Sequence, residues 1–418
     1  MNKIRKHITV FEHEVIRFDK GDNRISEEQL KELQRYHGDG VPFFSLCNNG
    51  IQFNEHVGVI QVGNTLIEVL PKADRNDPDK SKWRGVLIGM LKAVGAFDVK
   101  HSSDSQLKVT SNTILDLYFE MFLKEIEYLL HAGLIKKYNK QVGNVPVLKG
   151  SLLFNKQIQT NLTHQERFYV RYTSYDLNHK LHFILYKALC LLKRINTNAN
   201  LHSRIGSLLL YFPEMPDIKV TEATFNKLSF TRKNIVYRKA IDIARILLLQ
   251  FHPDVSKGRN NVLALMFDMN TLWEQFVFVS LRKHMKPGSI TAQTTKFFWK
   301  PESGRRSKIK PDIVIDLDHQ EFIVLDTKWK NLNGFNPSPE DLRQLYVYHE
   351  YYKAKKVALI YPGKITQKLG GVFLHPQSGA EMDKECSVIS ISVESIIKKW
   401  QLNIFNELKR WWTKLEEA

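Results

Sequence analysis

The apolar positions of this chain change period along its length. Residues 1 to about 75 alternate as strands do, and "VGVIQVGNTLIEVLPK" reads as two alternating runs joined at Gly63-Asn64, a pair that tolerates positive φ. Pro71 closes the second run because it has no N–H for a ladder. Within this stretch "ISEEQLKELQRYH" predicts one short helix capped by Ser26. From about 82 to 140 the spacing becomes three and four, as in "SNTILDLYFEMFLKEIEYLLHAGLIKKYNK", with Gly133 where a helix ends or kinks. Residues 145 to 260 open with "VPVLKGSLLFNKQI" and read as mostly helical. "NHKLHFILYKALCLLKRI" and "KAIDIARILLLQF" are amphipathic there, and their leucine and aromatic stripes belong to a core. "FHPDVSKGRNN" gathers Pro, Gly and Asn and predicts a boundary.

Beyond it the order is helix, two strands, helix, strand, helix. "DMNTLWEQFVFVSLRKH" predicts a helix from near Thr271, capped by Asp268 or Asn270. "KIKPDIVIDL" and "EFIVLDTKWK" fit an antiparallel hairpin turning through Asp318, His319 and Gln320. "SPEDLRQLYVYHEYY" opens with Ser338 as cap, Pro339 in the first turn and Asp341 third, and lines up Gln344, Val347, Tyr348 and Tyr351. "KKVALIYP" is a further strand, and "SIIKKWQLNIFNELKRWWTKL" an amphipathic helix with Trp411 and Trp412 in a core or interface. The expected class is a multidomain α+β or α/β protein. It has a β-rich N-terminal module with helices (1–145), a largely helical middle region (146–255), and a C-terminal mixed-sheet core flanked by helices (256–418).

Charge is the one departure in composition: 61 Lys and Arg stand against 44 Asp and Glu, a net +17. Such an excess points to a polyanionic partner, nucleic acid being the commonest, against the plainer reading of a charge that serves solubility. Lys136, Lys137, Lys140 and Tyr138 form a basic patch read as a solvated helix end. Cys47, Cys190 and Cys386 lie far apart with no CxxC spacing, so buried free thiols in a reducing cytoplasm are expected. Charges interrupt every apolar stretch, which excludes a signal peptide and a membrane span and predicts a soluble cytoplasmic protein. The P-loop pattern GxxxxGK[ST] is missing, so no nucleotide is expected on this chain alone.

The hairpin carries the candidate chemistry. A three-residue turn sets Asp312 across from Asp326, and alternation puts Lys328 on the face of Asp326. Two carboxylates held together repel unless a cation neutralises them, and Mg²⁺ does so with oxygen ligands while keeping several waters. A water of lowered pKa and a nearby ammonium suit hydrolysis of a phosphodiester, whose transition state gains negative charge. The alternative is a surface hairpin with charged ends. Glu274 falls on the stripe of Val277, Phe278 and Leu281, so it meets a cation or sits at a solvent margin. Gln344 faces the hairpin, where it can hold a phosphate, a base or the lysine, or lie as an amide at the helix edge.

The order P-D, then D-x-K, then Q-x-x-x-Y on the next helix resembles the PD-(D/E)xK nuclease superfamily. More closely, "HVGVIQVGNTLIEVLPK", "VPVLKGSLLFNKQI", "NTLWEQFVF", "IKPDIVIDL", "IVLDTKWK", "LRQLYVYHEYY" and "ALIYP" resemble the McrC family, the nuclease subunits of McrBC-type modification-dependent restriction systems. The resemblance implies a C-terminal PD-(D/E)xK core and a Mg²⁺-dependent (or Mn²⁺-dependent) endodeoxyribonuclease of a restriction or anti-phage system. Its partners would be double-stranded DNA with modified cytosine and a McrB-like AAA+ GTPase hexamer, docked by the N-terminal part and stimulated by it. Asp312, Asp326, Lys328, Glu274 and Gln344 would be catalytic, with Asp312, Asp326, Glu274 and Thr327 holding the metal. Two other readings compete: a catalytically silent activator or scaffold of an AAA+ motor, and a DNA-binding protein without catalysis. Since docking and chemistry are expected at opposite ends, pieces cut near 256–260 are expected to carry them separately.

Overall fold

The structure is a computed structural model describing residues 6–94, 114–196, 198–249, 251–253, 261–317, 321–330 and 336–413, apart from 22, 39, 64 and 74–76. The predicted turn at 318–320, Asn64 and the boundary segment 254–260 lie outside the described residues. The chain forms two compact units, one of residues 5–108 with 266–418, the other of 109–265 with 1–4.

The first unit contains a six-stranded mixed sheet. Its order is Ile290–Ala292, Ile313–Asp316, Phe322–Thr327, Ala354–Gly363, Glu381–Ser392 and Gln367–Leu374. Ala354–Gly363 runs parallel to both its neighbours, and the remaining pairs are antiparallel. Parallel strands need a crossover, which helix Pro339–Tyr352 supplies between Phe322–Thr327 and Ala354–Gly363. That helix sets Leu345, Tyr348 and Tyr352 against Val314, Val324, Val357 and Leu359. Ile313, Ile323 and Leu325 lie on the other face, and helices Met269–Arg282 and Ile397–Thr413 also pack against the sheet. Burial on both faces explains why "IVI" and "FIVL" read as unbroken apolar runs. Gln367–Leu374 was not anticipated: it is an edge strand exposed along nearly its whole length, so it has no apolar alternation to read.

The N-terminal strands belong to the same unit. Lys6–Phe11 runs parallel to Thr65–Leu70, which pairs antiparallel with His56–Val62. Ser26 caps helix Glu27–Gly38 as expected, accepting from the Gln29 N–H at 3.2 Å. Helix Lys80–Val94 buries Trp83, Leu87, Met90 and Leu91, and it packs on Met269–Arg282 and Ile397–Thr413. The Met269 N–H donates to the Glu55 carbonyl at 3.0 Å. The chain therefore divides neither at 145/146 nor at 255/256, the boundaries the sequence reading expected: residues 5–108 join 266–418 in one unit. A periodic stripe says that a helix has an apolar face, not which distant segment covers it.

In the second unit, helices Ile114–Ala132, Lys180–Ile195, Ala199–Tyr211 and Arg238–Leu249 match the helical reading, and Gly133 ends the first at φ +84°. The surprise is a three-stranded sheet of Lys137–Val145, Phe168–Asp176 and Ser151–Leu152. The basic patch around Lys137 thus lies on a strand, not a helix end, and Tyr138 packs on Tyr175 with ring centroids 4.6 Å apart. In Phe168–Asp176 only Val170 is buried, which leaves too weak an alternation to read. The three cysteines are free, but only Cys386 is buried, against the expectation for all three. Trp411 and Trp412 are core residues. No described helix is long and apolar enough to cross a membrane.

Candidate active site

The hairpin has the register its turn length predicts. Ile313 pairs with Leu325, Val314 with Val324, Ile315 with Ile323 and Asp316 with Phe322. One step outward, the same register brings Asp312 opposite Asp326. Alternation turns both toward the face that helix Pro339–Tyr352 covers.

Asp326 is 1% exposed, and the Lys328 Nζ lies 2.7 Å from its Oδ2. Burial, then the charge of Asp312, pushes its carboxyl up to about 7 against the pull of Lys328. Burial also works against the Lys328 ammonium, but Asp326 and Asp312 outweigh it and hold that group above its ordinary value. Thr327 aims the second carboxylate: its N–H and its hydroxyl donate to Asp312 Oδ2 at 2.7 and 2.8 Å.

The lysine is fixed through its backbone. Its N–H donates to the Ile360 carbonyl at 3.0 Å, which also accepts the Trp273 indole N–H at 3.2 Å. The next N–H, of Trp329, donates to Asn270 Oδ1 at 3.0 Å. Of the two capping candidates, Asp268 therefore takes the cap, accepting from the Thr271 N–H at 2.6 Å, while Asn270 ties down the strand end.

Glu274 is half-buried, and Gln293 donates to its Oε1 at 2.7 Å. Burial, then Asp312, raises its carboxyl above the ordinary range, so it lies within the field of the pair. Gln293 also donates its N–H to the Asp312 carbonyl at 2.9 Å from a left-handed backbone at φ +53°. No sequence pattern marks Gln293, because its partners are distant in the chain. Gln344 donates to the Tyr348 hydroxyl at 2.6 Å, which donates to the Lys310 carbonyl at 3.1 Å, so the amide braces the start of the first strand. The expected face of Gln344, Val347, Tyr348 and Tyr351 is rotated: Leu345, Tyr348 and Tyr352 face the core, and Tyr351 is 40% exposed. Asp341, read only as a cap-region acid, pairs with Lys330 at 2.7 Å and accepts from the Tyr361 hydroxyl at 3.3 Å.

A hard divalent cation fits the carboxylate pair. Mg²⁺ binds through one or two carboxylates and keeps its other waters. Burial, then the charge of Asp312, raises Asp326 even with Lys328 beside it, so a further cation would favour the ionised pair. Among the described residues no three His, Cys, Asp or Glu side chains group as a metal cage. Glu274 is held by Gln293, and the Thr327 hydroxyl by Asp312.

The fold and site together define a mixed α/β protein whose central sheet ends in two opposed carboxylates, one buried and one half-buried, answered by a lysine. The family described as McrBC 5-methylcytosine restriction system component matches residues 51–362, and the chain belongs to that family. The resemblance read from the motifs therefore holds. The chain is similar in fold to one in the "Refined half-complex from tetradecameric assembly of Thermococcus gammatolerans McrB AAA+ hexamers with bound McrC". There the TM-score is 0.72 at 22% identity, covering 97% of this chain and 99% of the other. Against the "Cryo-EM structure of the Thermococcus gammatolerans McrBC complex" the TM-score is 0.50 at 22% identity, covering 66% and 87%. No curated protein matches.

Proposed function

We propose that the chain is the nuclease subunit of a McrBC-type restriction system, a cytoplasmic Mg²⁺-dependent endodeoxyribonuclease with a PD-(D/E)xK core. The observation that carries this reading is the union of Asp312, Asp326 and Lys328 at one strand end in a chain of this family. Asp312 and Asp326 would hold the cation, and the two Thr327 hydrogen bonds fix the Asp312 carboxylate. When bound, the ion supplies a water of lowered pKa and a positive charge beside the phosphate. Lys328 orients the attacking water and stabilises the negative charge that develops on the phosphodiester. Glu274 adds negative charge at the margin, and Gln344 braces the first strand through Tyr348.

The partner is a separate McrB-like AAA+ GTPase hexamer, whose hydrolysis this chain stimulates. The similar chain is described with McrB hexamers and bound McrC, which supports that division of labour. The substrate is double-stranded DNA carrying modified cytosine, in keeping with the family's description and the net charge of +17.

The test is plasmid cleavage by the full chain with its motor, Mg²⁺ and GTP. Asp326→Ala is expected to abolish cleavage while partner binding and folding remain. Lys328→Ala is expected to slow the chemical step by several kcal/mol of lost transition-state stabilisation, on the order of 3 kcal/mol. Full cleavage by Asp326→Ala would overturn the reading.

A further inference from the structure

Glu12 is a carboxylate in the core, far in sequence from the candidate site. It follows strand Lys6–Phe11 and is 6% exposed. Its Oε1 accepts two hydrogen bonds, from the Lys72 N–H at 2.7 Å and from the Trp329 indole N–H at 2.8 Å. Its buried Oε2 accepts none from the described residues. Burial outweighs both bonds and raises the carboxyl above its ordinary range. An apolar side chain would avoid that cost, so the acid has to be explained by what it holds.

What it holds is the residue that follows Lys328. The Trp329 ring is buried, with its centroid 5.8 Å from that of Trp273 in a T-shaped contact. Its backbone N–H is bound by Asn270, and the preceding N–H, of Lys328, by the Ile360 carbonyl. The strand end from which Lys328 hangs is thus held from three places: its backbone by helix Met269–Arg282 and strand Ala354–Gly363, and the Trp329 side chain from the end of the N-terminal strands. Glu12 supplies the last of these. A side chain whose Nζ must stay 2.7 Å from Asp326 tolerates little rotation of that backbone.

We propose that Glu12 is a positioning residue for Lys328: through the Trp329 indole it clamps the strand end that carries the lysine, so that the N-terminal strands form part of the cleavage site. The activity arm of this inference rests on the nuclease reading above; the structural arm does not.

The experiment compares three variants of the full chain. Trp329→Phe keeps an aromatic ring and removes the donor, Glu12→Ala removes the acceptor, and Glu12→Gln keeps an amide oxygen for the indole. The first readout is amide hydrogen exchange by mass spectrometry. Trp329→Phe and Glu12→Ala are expected to speed exchange on the order of tenfold in the peptide holding the Lys328 and Trp329 amides. The peptide over Glu381–Ser392 and the circular dichroism spectrum should be unchanged, and Glu12→Gln should match the wild type. The second readout is single-turnover plasmid cleavage with the motor. The rate constant is expected to fall on the order of a hundredfold in Trp329→Phe and Glu12→Ala, with the half-saturating DNA concentration unchanged and Glu12→Gln restoring the rate. Wild-type exchange at Lys328 and Trp329 in folded Trp329→Phe would overturn the proposal, as would failure of Glu12→Gln to restore it. The expected exchange pattern in a chain whose wild type never cuts would overturn the nuclease reading instead and leave the clamp standing.

Discussion

At Asp326 a carboxyl is buried, crowded by Asp312 and answered by the ammonium of Lys328. Its folded value of about 7 lies above the ordinary 3.8. The unfolded chain therefore releases this proton first, so the group's contribution to stability is present at low pH and is lost as pH rises toward 7. Asp312→Asn retains an amide oxygen for the two Thr327 hydrogen bonds and removes the neighbouring charge. In the metal-free chain this variant is expected to raise unfolding stability by about 1 kcal/mol above pH 7, with the gain shrinking as pH falls below it. Denaturant unfolding in EDTA at about pH 8 and about pH 5 measures this, and an equal gain at both would show that repulsion is not the cause. Cleavage by the same variant is expected to be lost.

Among the elements, helix Met269–Arg282 gathers three groups of the site within its first two turns: Asn270 on the strand end, Trp273 on the Ile360 carbonyl, and Glu274 in the field of the carboxylates. Asp268 caps it. Asp268→Ala is expected to cost about 1 kcal/mol in thermal unfolding and to slow cleavage, because the turn it secures positions Asn270. A cap loss without any slowing would separate the helix end from the site. The hairpin beside it was legible because register follows from turn length and alternation, both local. Helix Pro339–Tyr352 was legible as a helix but not in its rotation, since Tyr351 and Tyr352 are equally aromatic and only packing chooses between them. Strand Lys137–Val145 was not legible at all, because its exposed face carries as many tyrosines and lysines as a helix surface would.

At the scale of the molecule, the candidate site belongs to a unit built from both ends of the chain, with residues 109–265 as a separate compact body. A cut near 256–260 does not follow the units of the chain, because residues 5–108 join 266–418. Residues 256–418 alone would expose the helix faces that Lys80–Val94 covers and leave the Trp329 indole without Glu12. That fragment is expected not to unfold cooperatively on its own, whereas residues 109–265 are expected to do so. Circular dichroism melts of the two pieces check it, and a cooperative melt of 256–418 would show that the N-terminal strands are dispensable to the core.

Taken alone, the sequence determined whatever depends on neighbours in the chain. This includes the strand period of Phe322–Thr327, the caps at Ser26 and Ser338, the opposition of Asp312 and Asp326, and the family to which those motifs point. Tertiary structure decided what depends on contacts between distant segments. Gln293 on Glu274, Asn270 beside Lys328, Lys330 on Asp341 and Glu12 beneath Trp329 each join residues whose chain separation leaves no periodic trace. The physical reason is that a hydrogen bond across 317 positions is chosen by the packing of helices and sheets, and single residues record only their own polarity.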